Sequence, residues 1–197
     1  MIPNVGIVVF DGAEELDFVG PWEVFAMATR DAPTKSVHLI AEDAAPVTCA
    51  KGLRVLPDCT LSTAPRLDIL VVPGGRGVRR ELENQALLGW LARRAEDAVW
   101  VTSVCTGAGL LVRAGIATHK RVTTHWSWLE TLRGIGSCEV LAGVRYVRDG
   151  KVVTAAGVSA GIDMSLWIVG QVMGIDAARE TRHMLEYDPA PPYAADV

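Results

Sequence analysis

The sequence predicts an α/β fold in which helices cover both faces of a mostly parallel central sheet, with antiparallel hairpins at the sheet edges. Two observations predict this fold. Continuous apolar runs rich in β-branched residues occur at residues 5–10, 69–72 and 99–104, and such runs are typical of strands covered on both faces. Segments with helical periodicity lie between the runs, and this alternation favours parallel strands joined by helices, a three-layer α/β/α sandwich.

The first helix is predicted directly after the first strand. The run at 5–10 ends at a turn, and the apolar spacing becomes helical over residues 14–29. Gly20 and Pro21 interrupt the first turns of this helix. The apolar residues predicted to share much of one face are Leu16, Val19, Val24 and Phe25.

The rest of the chain continues the alternation of strands and helices. The strand at 99–104 runs through Cys105 directly into a helix that ends near Gly115, and the Asp149-Gly150 turn is a strong hairpin signal. In order, the predicted elements are a strand at 37–41, a hairpin at 46–58, the strand at 69–72, one or two helices at 79–96, the strand at 99–104, helices at 106–112 and 126–132, a hairpin of strands 144–147 and 152–155, helices at 161–173 and 176–185, and an extended proline-rich tail at about 188–197.

The overall composition indicates one folded domain of 197 residues, of which 50% are hydrophobic and 21% charged. A net charge of -4 with scattered basic residues argues against nucleic acid and anionic membrane surfaces as partners. No stretch reaches the ~18 apolar residues of a membrane-spanning helix, and the N-terminal run has no basic region of a signal peptide. We therefore expect a cytoplasmic protein that binds neither nucleic acid nor membrane.

The cysteines predict free thiols rather than a metal site. They lack the C-x-x-C spacing of zinc sites, and a reducing cytosol disfavours a disulfide framework. We therefore expect no metal. The four cysteines are Cys49, Cys59, Cys105 and Cys138.

Three predicted strand ends carry residues suited to chemistry. They are residues 11–17 after the first strand, Pro73-Gly74-Gly75 after the strand at 69–72, and residues 103–107 after the strand at 99–104. Ligands bind at the carboxyl ends of the strands in such sheets. We therefore expect these three loops to converge.

Cys105 is the candidate nucleophile because it lies where a strand must turn sharply into a helix. This position resembles a nucleophile elbow, and a helix N-terminus would favour the thiolate and lower the pKa of Cys105. The alternative is that Cys105 is one more buried small apolar residue, as expected for the other three cysteines.

Asp17, Gly74, Gly75 and His125 are the further candidates. Asp17 lies in an otherwise apolar helix start, where it either caps the helix or pairs with an arginine, or faces Cys105 with a raised pKa as general acid and base. The N–H groups of Gly74 and Gly75, with that of Thr106, would form an oxyanion-type hole. A lone histidine beside an aromatic residue, as His125 is, is more often structural than catalytic.

Five motifs in order resemble the ThiJ/PfpI family, and most closely its isonitrile hydratase branch. The resemblance covers nearly the whole chain and implies a flavodoxin-like, amidotransferase-like fold and a homodimer. The motifs are Asp17-Phe-Val-Gly-Pro-Trp-Glu-Val-Phe25, Val71-Val-Pro-Gly-Gly75, Ser103-Val-Cys-Thr-Gly-Ala108, Thr123-Thr-His-Trp126 and Ala160-Gly-Ile-Asp163.

The resemblance assigns roles to matching positions. It implies that Cys105 is the nucleophile, Asp17 the acidic residue beside it, Thr106 the threonine that follows the cysteine in isonitrile hydratases, and Gly75 the backbone oxyanion site. His125 matches a histidine near the pocket. Peptidase-type members have histidine where this chain has Thr106, and glyoxalase-type members usually have glutamate where it has Asp17. Regulators of the family carry a C-terminal helix-turn-helix region, for which we expect no room before Val197.

The function expected from these residues is hydration of an isonitrile to an N-substituted formamide, with no cofactor. The Cys105 thiolate would attack the terminal carbon to give a thioimidate, while Asp17 donates the proton and then directs water onto that carbon. Thr106 would orient Asp17 or the water through its hydroxyl. The alternatives are glyoxalase or deglycase chemistry on small α-oxoaldehydes, and a non-catalytic small-molecule or redox sensor in which Cys105 is oxidised.

Overall fold

A seven-stranded sheet forms the centre of the fold in the computed structural model, which describes residues 2–189. Helices follow most of its strands, as expected for parallel connections. The strands are β1 (Val5–Val8), β2 (Val37–Ala41), β3 (Val47–Thr48), β4 (Arg54–Val55), β5 (Cys59–Thr60), β6 (Ile69–Val72), β7 (Trp100–Val104), β8 (Arg121–Val122), β9 (Glu139–Val140), β10 (Tyr146–Asp149) and β11 (Val152–Ala155). The helices are α1 (Glu15–Ala28), α2 (Val78–Glu81), α3 (Gln85–Asp97), α4 (Ala108–Arg113), α5 (Leu129–Arg133), α6 (Ala160–Met173) and α7 (Ile175–Met184), with 3-10 turns at Cys105–Gly107 and Trp126–Trp128.

The strand order in this sheet is β10-β11-β7-β6-β1-β2-β5. All neighbouring pairs are parallel except β10 with β11, which form an antiparallel edge hairpin. Parallel pairing of β1, β6 and β7 places the residues that follow Val8, Val72 and Val104 at the same edge of the sheet. The predicted fold class, a flavodoxin-like α/β sandwich with a mostly parallel sheet, is confirmed.

Two groups of helices cover the sheet. Helices α1, α6 and α7 contact one another, and α2 and α3 each contact α4. Both α4 and α6 contact β7, whose residues 101–104 are all buried although successive side chains point to opposite faces. The two groups of helices therefore lie on opposite faces of the sheet. Buried apolar side chains fill the space between the helices and the strands.

Helix α1 buries a different face from the predicted one. Leu16 and Val19 are exposed, whereas Phe18, Val24 and Phe25 are buried. Apolar residues occur all around this helix, so their spacing alone does not define the face that packs on the sheet. The packed face carries the buried carboxylate of Asp17 as well as apolar side chains.

Several short elements differ from the sequence prediction. The segment at 79–96 forms two helices, with the Asn84 side chain capping α3 by accepting a hydrogen bond from the Leu87 N–H. The predicted helices at 106–112 and 126–132 begin as 3-10 turns, and the predicted strand at 144–147 lies two residues later, as β10. The strands β5, β8 and β9 were not predicted, because two residues are too few for a periodic pattern. The predicted hairpin at 46–58 forms as β3 and β4.

Two expectations concern the chain ends and membranes. Most of the predicted tail at 188–197 lies outside the described residues. Within residues 2–189, no helix combines the length and apolar character that crossing a membrane requires.

Candidate active site

Cys105 occupies a sharp turn between β7 and α4. Val104 has extended backbone angles, Cys105 has a φ of 57°, and Gly107 already has helical angles. A left-handed conformation costs a non-glycine residue about 1–3 kcal/mol, so the surrounding contacts must impose it. One such contact is the Thr124 hydroxyl, which donates a hydrogen bond of 2.8 Å to the Cys105 carbonyl. The strand-to-helix elbow predicted from the sequence is therefore present, with Cys105 only 7% exposed.

Glycine at position 107 allows this turn to lie against the end of β6. A Cβ atom at Gly107 would lie 2.3 Å from the Val72 carbonyl oxygen and 2.7 Å from the Pro73 carbonyl oxygen. Both distances are too short for a side chain, so a larger residue would separate the β7 and β6 ends. The Cys105 turn therefore contacts the Pro73-Gly74-Gly75 loop directly.

Asp17 lies in the first turn of α1 and is fully buried. Its Oδ2 accepts a hydrogen bond of 2.9 Å from the Gly74 N–H, and its Oδ1 accepts one of 3.1 Å from the Val158 N–H. The cap position of α1 is Glu14, and no arginine pairs with Asp17 among the described residues. Asp17 is thus neither a helix cap nor part of an arginine ion pair.

Val158 is held in an unusual conformation to make this contact. Its φ is 45°, which is a strained value for a β-branched residue. The residue lies in the loop between β11 and α6, at the same sheet edge as the other site loops. The loop thereby directs one backbone donor at the Asp17 carboxylate.

Burial shifts the pKa values of both Asp17 and Cys105 upward. It raises the pKa of Asp17 from 3.8 to about 7, against the opposing effect of the Gly74 N–H. It raises the pKa of Cys105 from 9.0 to about 12, and the charge of Asp17 acts in the same direction while the Thr106 N–H opposes it. The expectation of a lowered pKa at Cys105 is therefore wrong, because burial and a neighbouring carboxylate outweigh the start of a short helix.

The side chains of Asp17 and Cys105 are close enough for each to shift the pKa of the other. Their interaction lowers the pKa of Asp17 and raises that of Cys105, as expected when a carboxylate accepts a proton from a thiol. When Asp17 is ionised the proton lies on sulfur, and a thiolate forms most easily when that proton moves to Asp17. One proton can therefore pass directly between the Cys105 thiol and the Asp17 carboxylate.

Gly74, Gly75 and Thr106 are close to this pair, but their contacts differ from the predicted ones. The Gly74 N–H donates to Asp17, and the Gly75 N–H donates to the Thr106 Oγ1 at 3.0 Å. The Thr106 hydroxyl in turn donates to the Gly75 carbonyl at 3.3 Å. Both glycine N–H groups thus have partners, so the predicted oxyanion hole is not formed by them here. The Thr106 hydroxyl holds the Gly75 backbone rather than Asp17.

Glycine at position 74 is required by the closeness of these groups. A Cβ atom there would lie 2.5 Å from the Thr106 nitrogen and 2.9 Å from the Asp17 Oδ2. At Gly75 the φ is 114°, and a Cβ atom would lie 2.4 Å from the Glu14 nitrogen. The three loops named from the sequence therefore converge, as predicted, with almost no free space between their backbones.

His125 lies beside the site without a hydrogen bond to Cys105 or Asp17 in the described part of the chain. Its Nδ1 is 2.8 Å from the Ser127 Oγ, and its ring packs on Gly157, where a Cβ atom would lie 2.9 Å from Cδ2. The Trp126 ring centroid is 5.5 Å from that of His125. The structure thus places His125 in the wall of the site rather than in the proton pair.

Sequence reasoning missed Thr124, Gly157 and Val158. Thr124 and Val158 act through a hydroxyl on a carbonyl and through a backbone N–H, and neither contact has a sequence signature. The sequence could have indicated Gly157 and Val158 by their position, because residues 156–158 follow a predicted strand whose carboxyl end lies at the same edge of the sheet.

A cavity and the distribution of possible metal ligands were the other features that could mark a functional site. A cavity of about 590 Å³ between the ends of β1, β2 and the start of α3 includes neither Cys105 nor Asp17 in its lining. Within residues 2–189, no three His, Cys, Asp or Glu side chains are grouped to hold a metal ion.

Comparisons with known proteins place this geometry in a family. Residues 3–171 match the DJ-1/PfpI family. The chain is 39% identical over 193 residues to isonitrile hydratase from Pseudomonas putida, covering 98% of this chain and 82% of that protein. It is 24% identical over 187 residues to the HTH-type transcriptional regulator GbdR of Pseudomonas aeruginosa, covering 94% of this chain and 51% of the regulator.

A solved structure agrees with these sequence matches. The crystal structure of a ThiJ/PfpI family protein from Pseudomonas syringae superposes with a TM-score of 0.89 at 34% identity, covering 99% of this chain and 79% of that one. The matched length and the close superposition agree with the resemblance seen in the five motifs. This chain belongs to the DJ-1/PfpI family.

Proposed function

We propose that this protein hydrates isonitriles to N-substituted formamides at Cys105. The observation that carries the proposal is the buried pair of Asp17 and Cys105, whose neighbouring carboxyl and thiol groups would supply a proton donor and a nucleophile. The identity of 39% to an isonitrile hydratase over 98% of the chain supports the same reaction. An isonitrile needs a nucleophile and a proton at the same carbon, and this pair supplies both.

In the first half of the proposed reaction, the Cys105 sulfur forms a bond to the terminal carbon of R–NC. The proton of the pair passes through Asp17 to that carbon, and the product is the thioimidate R–N=CH–S–Cys105. Asp17 then remains as a carboxylate. Its raised pKa suits both roles, because an acid with a pKa of about 7 donates and accepts protons readily near neutral pH.

In the second half, the Asp17 carboxylate accepts a proton from water as the oxygen adds to the thioimidate carbon. Asp17 passes this proton to the imine nitrogen, and the resulting tetrahedral adduct, R–NH–CH(OH)–S–Cys105, has oxygen, sulfur and nitrogen on one carbon. Collapse breaks the carbon–sulfur bond, releases R–NH–CHO, and returns one proton to the Asp17–Cys105 pair. The sum is addition of one water to one isonitrile.

The surrounding backbone would act by orienting these two groups. The N–H groups of Gly74 and Val158 hold the two oxygens of Asp17, and the Thr106 N–H stabilises charge on the sulfur. The Thr106 hydroxyl holds Gly75, and so fixes the loop that carries Gly74. We therefore propose that Thr106 and Gly75 are positioning residues.

Substitution of Cys105 by alanine tests the proposal. Wild-type protein given an isonitrile should produce the formamide, and a stopped reaction should contain protein heavier by one isonitrile at Cys105. Cys105→Ala should lose both signals, because no thioimidate can form. Cys138→Ala, at a half-buried thiol away from the elbow, is the matched control and should keep both.

Three outcomes would contradict this function. Formamide production by Cys105→Ala at the wild-type rate would exclude the mechanism. Conversion of methylglyoxal to lactate without turnover of isonitriles would favour the glyoxalase-type alternative. Turnover of neither substrate, with stoichiometric oxidation of Cys105 by mild peroxide, would favour a sensor.

We further propose that the protein acts as a homodimer. Leu16 and Val19 of α1 are exposed, as are Leu53 and Leu56 of the β3–β4 hairpin. The Lys51 N–H donates a hydrogen bond to the Glu15 Oε1, which keeps the hairpin beside the start of α1. Neighbouring exposed apolar side chains of this kind mark association surfaces.

A further inference from the structure

Trp126 is an exposed aromatic residue at the wall of the site. It is 79% exposed, whereas Trp90 and Trp128 are each 5% exposed. The proposed reaction at Asp17 and Cys105 makes no use of it. An aromatic ring beside a catalytic pair offers a surface for the part of a substrate that does not react.

The orientation of the His125–Trp126 pair is held by a set of local hydrogen bonds. The Ser127 Oγ lies 2.8 Å from the His125 Nδ1, and the Trp128 N–H donates to the His125 carbonyl at 2.8 Å. The two rings are tilted by 38° with centroids 5.5 Å apart. These bonds fix the His125 ring and the backbone on either side of Trp126, and the neighbouring indole extends the aromatic surface into solvent.

This aromatic surface is connected to both catalytic groups through short contacts. The Thr124 hydroxyl binds the Cys105 carbonyl at 2.8 Å. On the other side, the His125 ring packs on Gly157, and the next residue, Val158, donates its N–H to Asp17. The aromatic pair is thus at most two residues along the chain from a direct contact with each member of the catalytic pair.

The shape of an isonitrile connects the two regions. Its reactive carbon is terminal and the C–N–R unit is linear, so the substituent R must point straight away from a carbon that contacts the buried sulfur. R therefore has to extend from the buried Cys105 toward solvent, and the rings of His125 and the exposed Trp126 are the aromatic groups on the segment that contacts the Cys105 turn. A flat aromatic substituent can stack on them, whereas a methyl group is too short to reach them.

We propose that His125 and Trp126 bind the substituent of the substrate, and that the preferred substrates are isonitriles with aromatic substituents. This inference rests on the proposed function. The occupant of the exposed indole is the substituent R, because the segment that carries the two rings contacts the Cys105 turn through Thr124 and the Asp17-binding loop through Gly157.

Steady-state kinetics with two substrates test the inference. Phenyl isonitrile and methyl isonitrile should be compared for wild type, Trp126→Ala, Trp126→Phe and the control Ile175→Ala, which removes another exposed apolar side chain. Trp126→Ala should raise KM for phenyl isonitrile about fivefold with kcat nearly unchanged, as expected for loss of one aromatic contact. KM for methyl isonitrile should not change, Trp126→Phe should restore most of the preference, and Ile175→Ala should match wild type.

Two results would overturn the inference. One is an equal change in KM for both substrates, which would indicate a general disturbance of the site. The other is dissociation of Trp126→Ala into monomers in sedimentation equilibrium while the wild type is a dimer, which would make a second copy the occupant of the indole. Thermal unfolding of each variant, expected to match the wild type, shows that the fold is retained.

A labelling experiment keeps this inference separate from the proposed function. If wild type hydrates neither isonitrile, the proposed function fails, and the aromatic surface is then tested with methyl and benzyl methanethiosulfonate. In each case the Cys105 thiolate attacks the divalent sulfur, forms the mixed disulfide and releases methanesulfinate. Faster benzyl than methyl labelling of Cys105 that is lost in Trp126→Ala would support an aromatic-binding wall, and equal ratios in both proteins would refute it.

Discussion

Replacement of Asp17 by asparagine should reveal how much the folded protein is destabilised by this buried carboxylate. Asp17 is fully buried, and burial raises its pKa from 3.8 to about 7. A carboxyl group whose pKa is higher in the folded than in the unfolded state binds more protons when folded. Stability must therefore fall as the pH rises from the unfolded pKa to the folded pKa.

The size of this effect follows from the two pKa values. One pKa unit corresponds to about 1.4 kcal/mol, so ionisation of Asp17 should lower the free energy of unfolding by about 3 kcal/mol between pH 5 and pH 8. Asparagine does not ionise and removes this pH dependence. It has one acceptor oxygen for the two N–H groups of Gly74 and Val158, so it leaves one of them unpaired at a cost of about 1–3 kcal/mol at every pH.

Urea unfolding of both proteins at pH 5 and pH 8 measures the difference. Asp17→Asn should be less stable than wild type at pH 5 and should gain about 3 kcal/mol relative to it by pH 8. Asp31→Asn is the matched control, because the Asp31 side chain is 90% exposed. A stability difference between Asp17→Asn and wild type that stays constant over this pH range would refute the reasoning, since it would mean that Asp17 is not raised in pKa by burial.

The remaining predictions concern packing and association. Gly74→Ala should destabilise the protein by about 1–3 kcal/mol in urea unfolding and abolish formamide production, because its Cβ would lie 2.5 Å from the Thr106 nitrogen and displace Asp17. Gly89→Ala, in the middle of α3 with its nearest neighbour at 3.4 Å, should instead stabilise by about 0.5–1 kcal/mol, and an equal loss in both variants would contradict the steric argument. Sedimentation equilibrium of the wild type should give twice the chain mass of 21.1 kDa, and Leu16→Lys should shift it toward the monomer by placing a charge in the exposed apolar surface. A wild-type monomer at micromolar concentration would contradict the proposed dimer.

The order of strands and helices was predictable because it depends on local patterns. The buried runs that become β1, β6 and β7 are continuous and β-branched, and the Asp149-Gly150 turn marks the β10–β11 hairpin. The orientation of α1 was not predictable in this way. Leu16 and Val19 are as apolar as Val24 and Phe25, and only packing against the sheet and α6 decides which of them are buried.

The sequence predicted which residues form the candidate site better than it predicted the contacts between them. Cys105, Asp17, Gly74, Gly75 and Thr106 could be named because strand ends meet at one edge of a parallel sheet. Their hydrogen bonds could not, because the donor to each Asp17 oxygen is a backbone N–H, and every residue but proline has one. The contact of Thr106 could not be predicted either, because its hydroxyl accepts a hydrogen bond from the Gly75 backbone N–H rather than binding Asp17.

The sequence by itself determined that Cys105 lies at the carboxyl end of a buried strand, because the run before it and the helix after it are encoded in neighbouring residues. Only the tertiary structure decided where the proton of that cysteine resides. Asp17 is bound by Gly74, 57 residues away, and by Val158, 141 residues away, and its burial comes from all of these segments packing together. A pKa depends on the solvent and charges that surround a group in space. The pKa of Cys105 is therefore set by the packing of the whole fold and not only by its position at the start of a helix.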